Sequence, residues 1–127
     1  MSKQILAIDD NSTNIELVVF LLKAFGYRAM IAFDGQTGIH LAKINRPDLI
    51  LCDVDMPVVS GVQVVRELKQ LPDLHNVPIL AVTAMAEPGD AERLLSLGFD
   101  GYIAKPIEPA MLRTCLERFL NPGEGQA

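Results

Sequence analysis

Five short apolar runs recur along the chain, near residues 4–8, 27–33, 48–52, 78–82 and 100–103. Between and after them lie longer stretches of helical period. The first stripe is Ile15, Val18, Leu22 and Phe25, and the second is Gly38, Leu41 and Ala42. The third is Val62, Val65 and Leu68, and the fourth is Ala91, Leu94 and Leu95. The last runs through Met111, Leu112, Cys115, Leu116, Phe119 and Leu120, with Arg113, Glu117 and Arg118 on its other side. Strands that alternate with helices predict an α/β fold, a five-stranded parallel sheet doubly wound by five helices on its two faces.

Punctuation agrees with the pattern. Thr13 followed by Glu16 has capping-box spacing at the start of the first helix, and Asp10 or Asn11 is a further capping candidate. Gly26 and Gly98 fall where helices should stop. The prolines at 47, 57, 72, 78, 88, 106 and 109 lie outside the apolar stripes, in connections or first turns. The 127 residues make one domain, able to bury roughly two thirds of the surface the unfolded chain exposes. Half are hydrophobic and only 6% aromatic, so the core is aliphatic. There is no repeat or linker. Residues 1–120 read as the folded domain and 121–127 as a frayed tail.

Sixteen acidic against eleven basic side chains give a net charge of −5, with no basic tract. That balance speaks against nucleic-acid binding and suits a divalent cation or a basic partner. Cys52 and Cys115 sit in apolar segments at no metal-ligand spacing and read as core packing. No signal-peptide region precedes the first run, and no apolar stretch approaches the ~18 residues of a membrane span. A cytoplasmic protein with no membrane association is expected.

Ligands of open α/β sheets bind outside the carboxyl ends of the strands. Four polar features fall there: Asp9-Asp10 after the first strand, Asp53 after the third, Thr83 after the fourth and Lys105 after the fifth. Each alone has a bland reading as a cap, turn or strand end. Together they place three carboxylates in one pocket, where each like-charge pair at ~4 Å costs on the order of 4 kcal/mol at an effective dielectric near 20. Such repulsion raises a carboxylate pKa or recruits a metal. Oxygen donors without nearby His or Cys favour Mg²⁺. A hydroxyl and an ammonium opposite would suit a phosphoryl group.

With these residues in hand, the chain resembles the receiver domain of two-component response regulators over about residues 4–120. The matching motifs are Ile8-Asp9-Asp10-Asn11, Asp53-Val54-Asp55-Met56-Pro57 with Gly61, Val82-Thr83-Ala84, and Lys105-Pro106. The resemblance implies a flavodoxin-like sheet of order 2-1-3-4-5, like that of single-domain chemotaxis regulators. It implies that Asp53 accepts a phosphoryl group from a sensor histidine kinase or histidine phosphotransfer protein. It implies Mg²⁺ held by Asp10 directly, by Asp9 mainly through water, by Asp53 and by the backbone carbonyl of Asp55. Lys105 would pair with a phosphoryl oxygen, Thr83 would hydrogen-bond the phosphoryl group, and the Lys105-Pro106 bond would be cis. Tyr102 stands where the family has a rotating aromatic, coupling the site to a surface of the fourth helix, fifth strand and fifth helix that binds a downstream protein. A monomer or a phosphorylation-dependent dimer is expected. The protein would not turn over substrate, apart from slow autodephosphorylation.

Asp55 and Met85 depart from commoner family choices. Both neighbour the path of a hydrolytic water and so bear on the lifetime of the phosphoaspartate. Pro88, in Met85-Ala86-Glu87-Pro88-Gly89, would stiffen the start of the fourth helix. His40 and His75 read as ordinary histidines on a helix and in a loop. Met1 just before the first strand suggests a native start, hence a stand-alone regulator or an N-terminal receiver. Asp53-Val54-Asp55 also admits a phosphatase fragment of the haloacid dehalogenase type, with Asp53 as nucleophile and Asp55 as acid. Met56-Pro57 and the short chain argue against it. A nucleotide- or flavin-binding domain is weaker still, because the first turn is acidic and no glycine-rich fingerprint is present.

Overall fold

The computed structural model describes residues 2–84 and 87–121. Strands and helices alternate as expected: β1 (Gln4–Ile8), α1 (Ser12–Ala24), β2 (Arg28–Ala32), α2 (Gly35–Asn45), β3 (Leu49–Asp53), α3 (Gly61–Lys69), β4 (Ile79–Thr83), α4 (Asp90–Ser96), β5 (Gly101–Ala104) and α5 (Pro109–Leu120). All four strand pairs are parallel and the order is β2-β1-β3-β4-β5, the doubly wound arrangement the sequence implied. From β1 the chain steps outward to β2, then returns across β1 to β3. The carboxyl ends of β1 and β3 therefore flank the point where the winding reverses, which is where such sheets open a crevice.

Alternate strand residues feed two cores. Ile5, Ala7, Leu49, Leu51, Leu80, Val82 and Ile103 pack with Ile15, Val18 and Leu22 of α1 and with Leu112 and Leu116 of α5. Leu6, Ile8, Ile50, Cys52, Ile79 and Ala81 pack with Ile39 and Ala42 of α2, with Val64, Val65 and Leu68 of α3, and with Leu94 of α4. Burial on both faces is why β1 and β3 read as unbroken apolar runs. Cys52 is buried and Cys115 half-buried, both as free thiols. His40 is exposed on α2, and His75 is exposed between α3 and β4.

Several boundaries differ from the sequence reading. β3, β4 and β5 each run one residue further toward the carboxyl end than the apolar runs suggested. The ladder continues, pairing Asp53 with Val82 and Thr83 with Ala104. Asp53 and Thr83 are thus the last residues of their strands and not the first residues after them.

The Thr13–Glu16 capping box does not form. Asn11, in extended conformation at φ −94° and ψ 112°, is the cap of α1, and its side chain accepts from the Asn14 N–H at 3.0 Å. Thr13 already lies inside the helix, where a side chain cannot act as the N-cap. A capping box does occur at α3, where Ser60 accepts from the Gln63 N–H at 3.4 Å and Gln63 accepts from the Ser60 N–H at 2.8 Å. Gly26 and Gly98 follow α1 and α4 with φ of +91° and +115°, the left-handed stops foreseen for them. The expectation for Met85, and the tail beyond Asn121, lie outside the described residues.

Candidate functional site

Asp9 follows β1 directly and is buried. The first turn of α1 wraps it: the Asn11 N–H donates to Oδ1 at 2.9 Å and Asn14 Nδ2 donates to Oδ2 at 3.4 Å. The helix that Asn11 caps therefore also holds the first carboxylate in place. Asp10, one residue on, is exposed at the rim.

Asp53 closes β3 with only 3% of its surface exposed. Its Oδ1 accepts from the Asp55 N–H at 3.2 Å and from Lys105 Nζ at 3.2 Å. Lys105 also stands 3.9 Å from Asp9 Oδ2, so one ammonium bridges the two buried carboxylates. The Lys105-Pro106 peptide is cis, as the resemblance implied. The Lys105 N–H donates to the Thr83 carbonyl at 2.9 Å, tying the loop after β5 to the end of β4. Thr83 is half-buried there, one position beyond the register partner of Asp53.

Carboxylate oxygens of Asp9, Asp10 and Asp53 lie within 4.8 Å of one another. At that separation each like-charge pair costs about 3 kcal/mol at an effective dielectric near 20. One lysine against three carboxylates leaves the pocket negative. The strain shows in Asp9, whose carboxyl is held above the ordinary carboxylate range. Burial is the largest cause and the Asp53 charge adds to it, while the Asn11 N–H, Lys105 and Asn14 pull it back. Behind the site the Cys52 thiol is pushed far up, first by burial and then by the charges of Asp53 and Asp9, so it stays protonated. The donor set is all oxygen and carries excess negative charge, which fits Mg²⁺ and not a softer metal.

The structure thus brings together Asp9, Asp10, Asp53 and Lys105, with Thr83 at the neighbouring strand end. Tyr102 is not in the pocket. It points out from β5, 42% exposed, into a groove of about 600 Å³ that Leu95, Met111, Cys115 and Arg118 also line. Asp55 contributes its backbone N–H to Asp53 while its side chain is exposed. The role of Asn14 was not read from the sequence. An amide in the first turn of the helix after an acidic strand end is the signal that could have revealed it.

A small open parallel sheet with an acidic pocket, a lysine and a threonine at its strand ends defines a class, the phosphoryl-accepting signalling domains. Residues 5–117 match the family model described as the response regulator receiver domain. The chain belongs to that family. It is 40% identical over 115 residues to the polar-differentiation response regulator DivK of Brucella anthropi, covering 90% of this chain and 94% of that protein. Among solved structures, the receiver domain of sensor histidine kinase PA1611 from Pseudomonas aeruginosa, with magnesium coordinated in its active-site cleft, is 35% identical with a TM-score of 0.87. That match covers 94% of this chain and 98% of the other. The chemotaxis protein CheY4 of Vibrio cholerae is 30% identical with a TM-score of 0.88, over 94% of this chain and all of its own. These likenesses support a receiver in two-component signalling and lend none to the phosphatase reading.

Proposed function

We propose that Asp53 is the phosphoacceptor of this receiver. The observation that carries the reading is the Asp53–Lys105 pair at 3.2 Å inside a pocket that also gathers Asp9 and Asp10. An Asp53 carboxylate oxygen attacks the phosphorus of a phosphohistidine on a sensor kinase or histidine phosphotransfer protein. The P–N bond breaks, its electron pair goes to the imidazole, and the donor leaves as neutral histidine when its other ring nitrogen carries a proton. The product is an acyl phosphate on Asp53.

A carboxylate is a weak nucleophile, so the site works by positioning and charge neutralisation. Asp9, Asp10, Asp53 and the Asp55 carbonyl would hold Mg²⁺, which would neutralise charge on the carboxylates and on the phosphoryl oxygens. The all-oxygen donor set supports that choice. Lys105 then pairs with a phosphoryl oxygen, and the Thr83 hydroxyl donates to another. Movement of Thr83 biases Tyr102 between outward and inward rotamers, and with it the α4–β5–α5 surface that meets a downstream protein.

Residues 1–120 form the receiver unit. It acts in the cytoplasm as a stoichiometric acceptor, not as a turnover enzyme. No described helix is long and apolar enough to cross a membrane.

The test is labelling by acetyl phosphate with Mg²⁺, read by intact mass. One phosphoryl group is expected on the wild-type chain and none on Asp53→Asn. Labelling that survives the substitution would overturn the assignment.

A further inference from the structure

β2 closes one side of the sheet. It pairs with β1 alone, so among the described residues one row of its backbone groups has no partner strand. The Arg28 N–H donates to the Lys3 carbonyl at 2.9 Å, and the Ala32 carbonyl accepts from the Asp9 N–H at 3.1 Å. Successive residues of a strand turn their N–H and C=O groups to opposite sides, so Arg28, Met30 and Ala32 bond toward β1. Ala29 and Ile31 therefore aim theirs out of the sheet.

The side chains along this edge leave it open. Ala29 packs into the core under α1 and α5, whereas Met30 and Ala32 pack into the other. Ile31 shares the Ala29 face yet is 38% exposed, and Phe33 beyond it is 48% exposed. The helix layer on that face thus stops short of the carboxyl half of β2. Sheet edges are commonly guarded by a charge that repels a further strand, and Arg28 is the guard expected here. Its guanidinium is exposed and has no ion-pair partner among the described residues. Asp34, at the far end of the edge, is exposed too and meets no cation there. Its carboxylate accepts from the Thr37 N–H at 2.7 Å and the Thr37 hydroxyl at 2.9 Å, which leaves lone pairs free.

We infer that a second copy of this chain adds to the β2 edge, antiparallel about a two-fold axis at Ile31, and joins the two sheets into one. Charge complementarity singles out that occupant and that register. With Ile31 opposite Ile31 of the second copy, Arg28 falls opposite Asp34 and Asp34 opposite Arg28, so the contact closes on itself. A slip of one residue would set outward-aimed backbone groups against inward-aimed ones, and a slip of two would part the charges. Each Ile31 N–H donates to the Ile31 carbonyl of the other copy, and the two side chains cover each other on one face. The charge that turns away unrelated strands selects this one. The chain bends at Phe33 and Asp34, so the ladder is short and the arginine side chain spans the offset. A contact this small is weak, with Kd on the order of 100 µM. None of these side chains belongs to the acidic cluster, so the dimer forms whether or not Asp53 is phosphorylated.

The test is sedimentation velocity of the full chain from micromolar to millimolar concentration. The wild type should pass from one copy to two, and Asp53→Asn should do the same. Arg28→Glu sets like charges across the axis and should raise Kd roughly tenfold or more, while Asp34→Asn, which keeps the α2 cap, should raise it about threefold. The double variant should bind about as well as Asp34→Asn alone, because the repulsion is gone. Ile31→Pro removes an outward N–H without touching the bonds to β1 and should abolish the dimer, with a cooperative thermal transition showing that it folds. If that variant does not fold, the charge variants decide. A wild type that stays monomeric over the whole range would overturn the inference. So would a dimer indifferent to Arg28→Glu and Ile31→Pro, which would put the contact on another face, or a dimer that appears only after phosphorylation. Additive losses in the double variant would separate Arg28 from Asp34 and overturn the register.

Discussion

Asp9 keeps a charge where the fold resists one. Burial, then the Asp53 charge, hold its carboxyl above the ordinary value of 3.8, so the folded chain binds that proton better than the unfolded chain does. The sign follows. Below the unfolded value both states are protonated and no cost exists. As the pH rises past the unfolded value and through the folded one the cost develops, and above the folded value it is complete. Asp9→Asn should therefore raise the melting temperature by a few degrees in a chelating buffer at pH 7, with Lys105 still paired to Asp53 at 3.2 Å. Added Mg²⁺ should stabilise the wild type by mass action and stabilise the variant much less. A differential scan with and without Mg²⁺ checks both halves. A variant that melts lower in chelator would mean that the hydrogen bonds from Asn11 and Asn14 outweigh the repulsion. Stability given up at this residue is what a cation-binding pocket costs when no cation is bound.

At the scale of elements, α1 is both a core helix and the brace of the site. Its cap, Asn11, donates its own N–H to Asp9 while its side chain accepts from Asn14. Asn11→Ala should cost about 1 kcal/mol in urea unfolding, whereas Thr13→Ala, inside the helix, should change little. Equal losses would restore the capping role first given to Thr13. The helices and strands themselves were legible because burial on both sheet faces writes long apolar runs and 3.6-residue stripes into the chain. Asp9, Asp53, Thr83 and Lys105 were legible because polar residues at the ends of such runs stand out. What escaped depends on neighbours distant in sequence or on local backbone angles. The strand ends moved by one residue because the ladder to Val82 and Ala104 sets them, not their own composition. The cap fell to Asn11 because its backbone is extended there. The γ-turn at Val58, where φ is +64° and the Val59 N–H donates to the Pro57 carbonyl at 2.8 Å, has no compositional sign at all, since valine is the residue that turn chemistry would least suggest.

Over the whole molecule the two sheet faces are not covered alike. α4 has only seven residues, and β5 has only Ile103 buried, so Tyr102 stays exposed over the groove that Leu95 and Met111 also line. That groove begins one residue from the site, because Ala104 pairs with Thr83 and precedes Lys105. If, as proposed, a phosphoryl group on Asp53 drew on Thr83 and Lys105, it would act on both edges of the β4–β5 junction at once. For the coupling to be real, the phosphorylated state has to favour one arrangement of Tyr102 over the other by its own contacts, since equal affinity for both would shift nothing. The chain offers a direct reporter, with two tyrosines and no tryptophan. Tyr27 is half-buried near Glu117 and Arg113 of α5 and is not among the residues that line the groove. Phosphorylation by acetyl phosphate with Mg²⁺ should change the tyrosine emission of the wild type and of Tyr27→Phe. It should leave Tyr102→Phe and the unlabelled Asp53→Asn unchanged. Emission that stays constant in a chain whose mass shows the phosphoryl group would uncouple the groove from the site and leave the α4–β5–α5 surface without a switch at Tyr102.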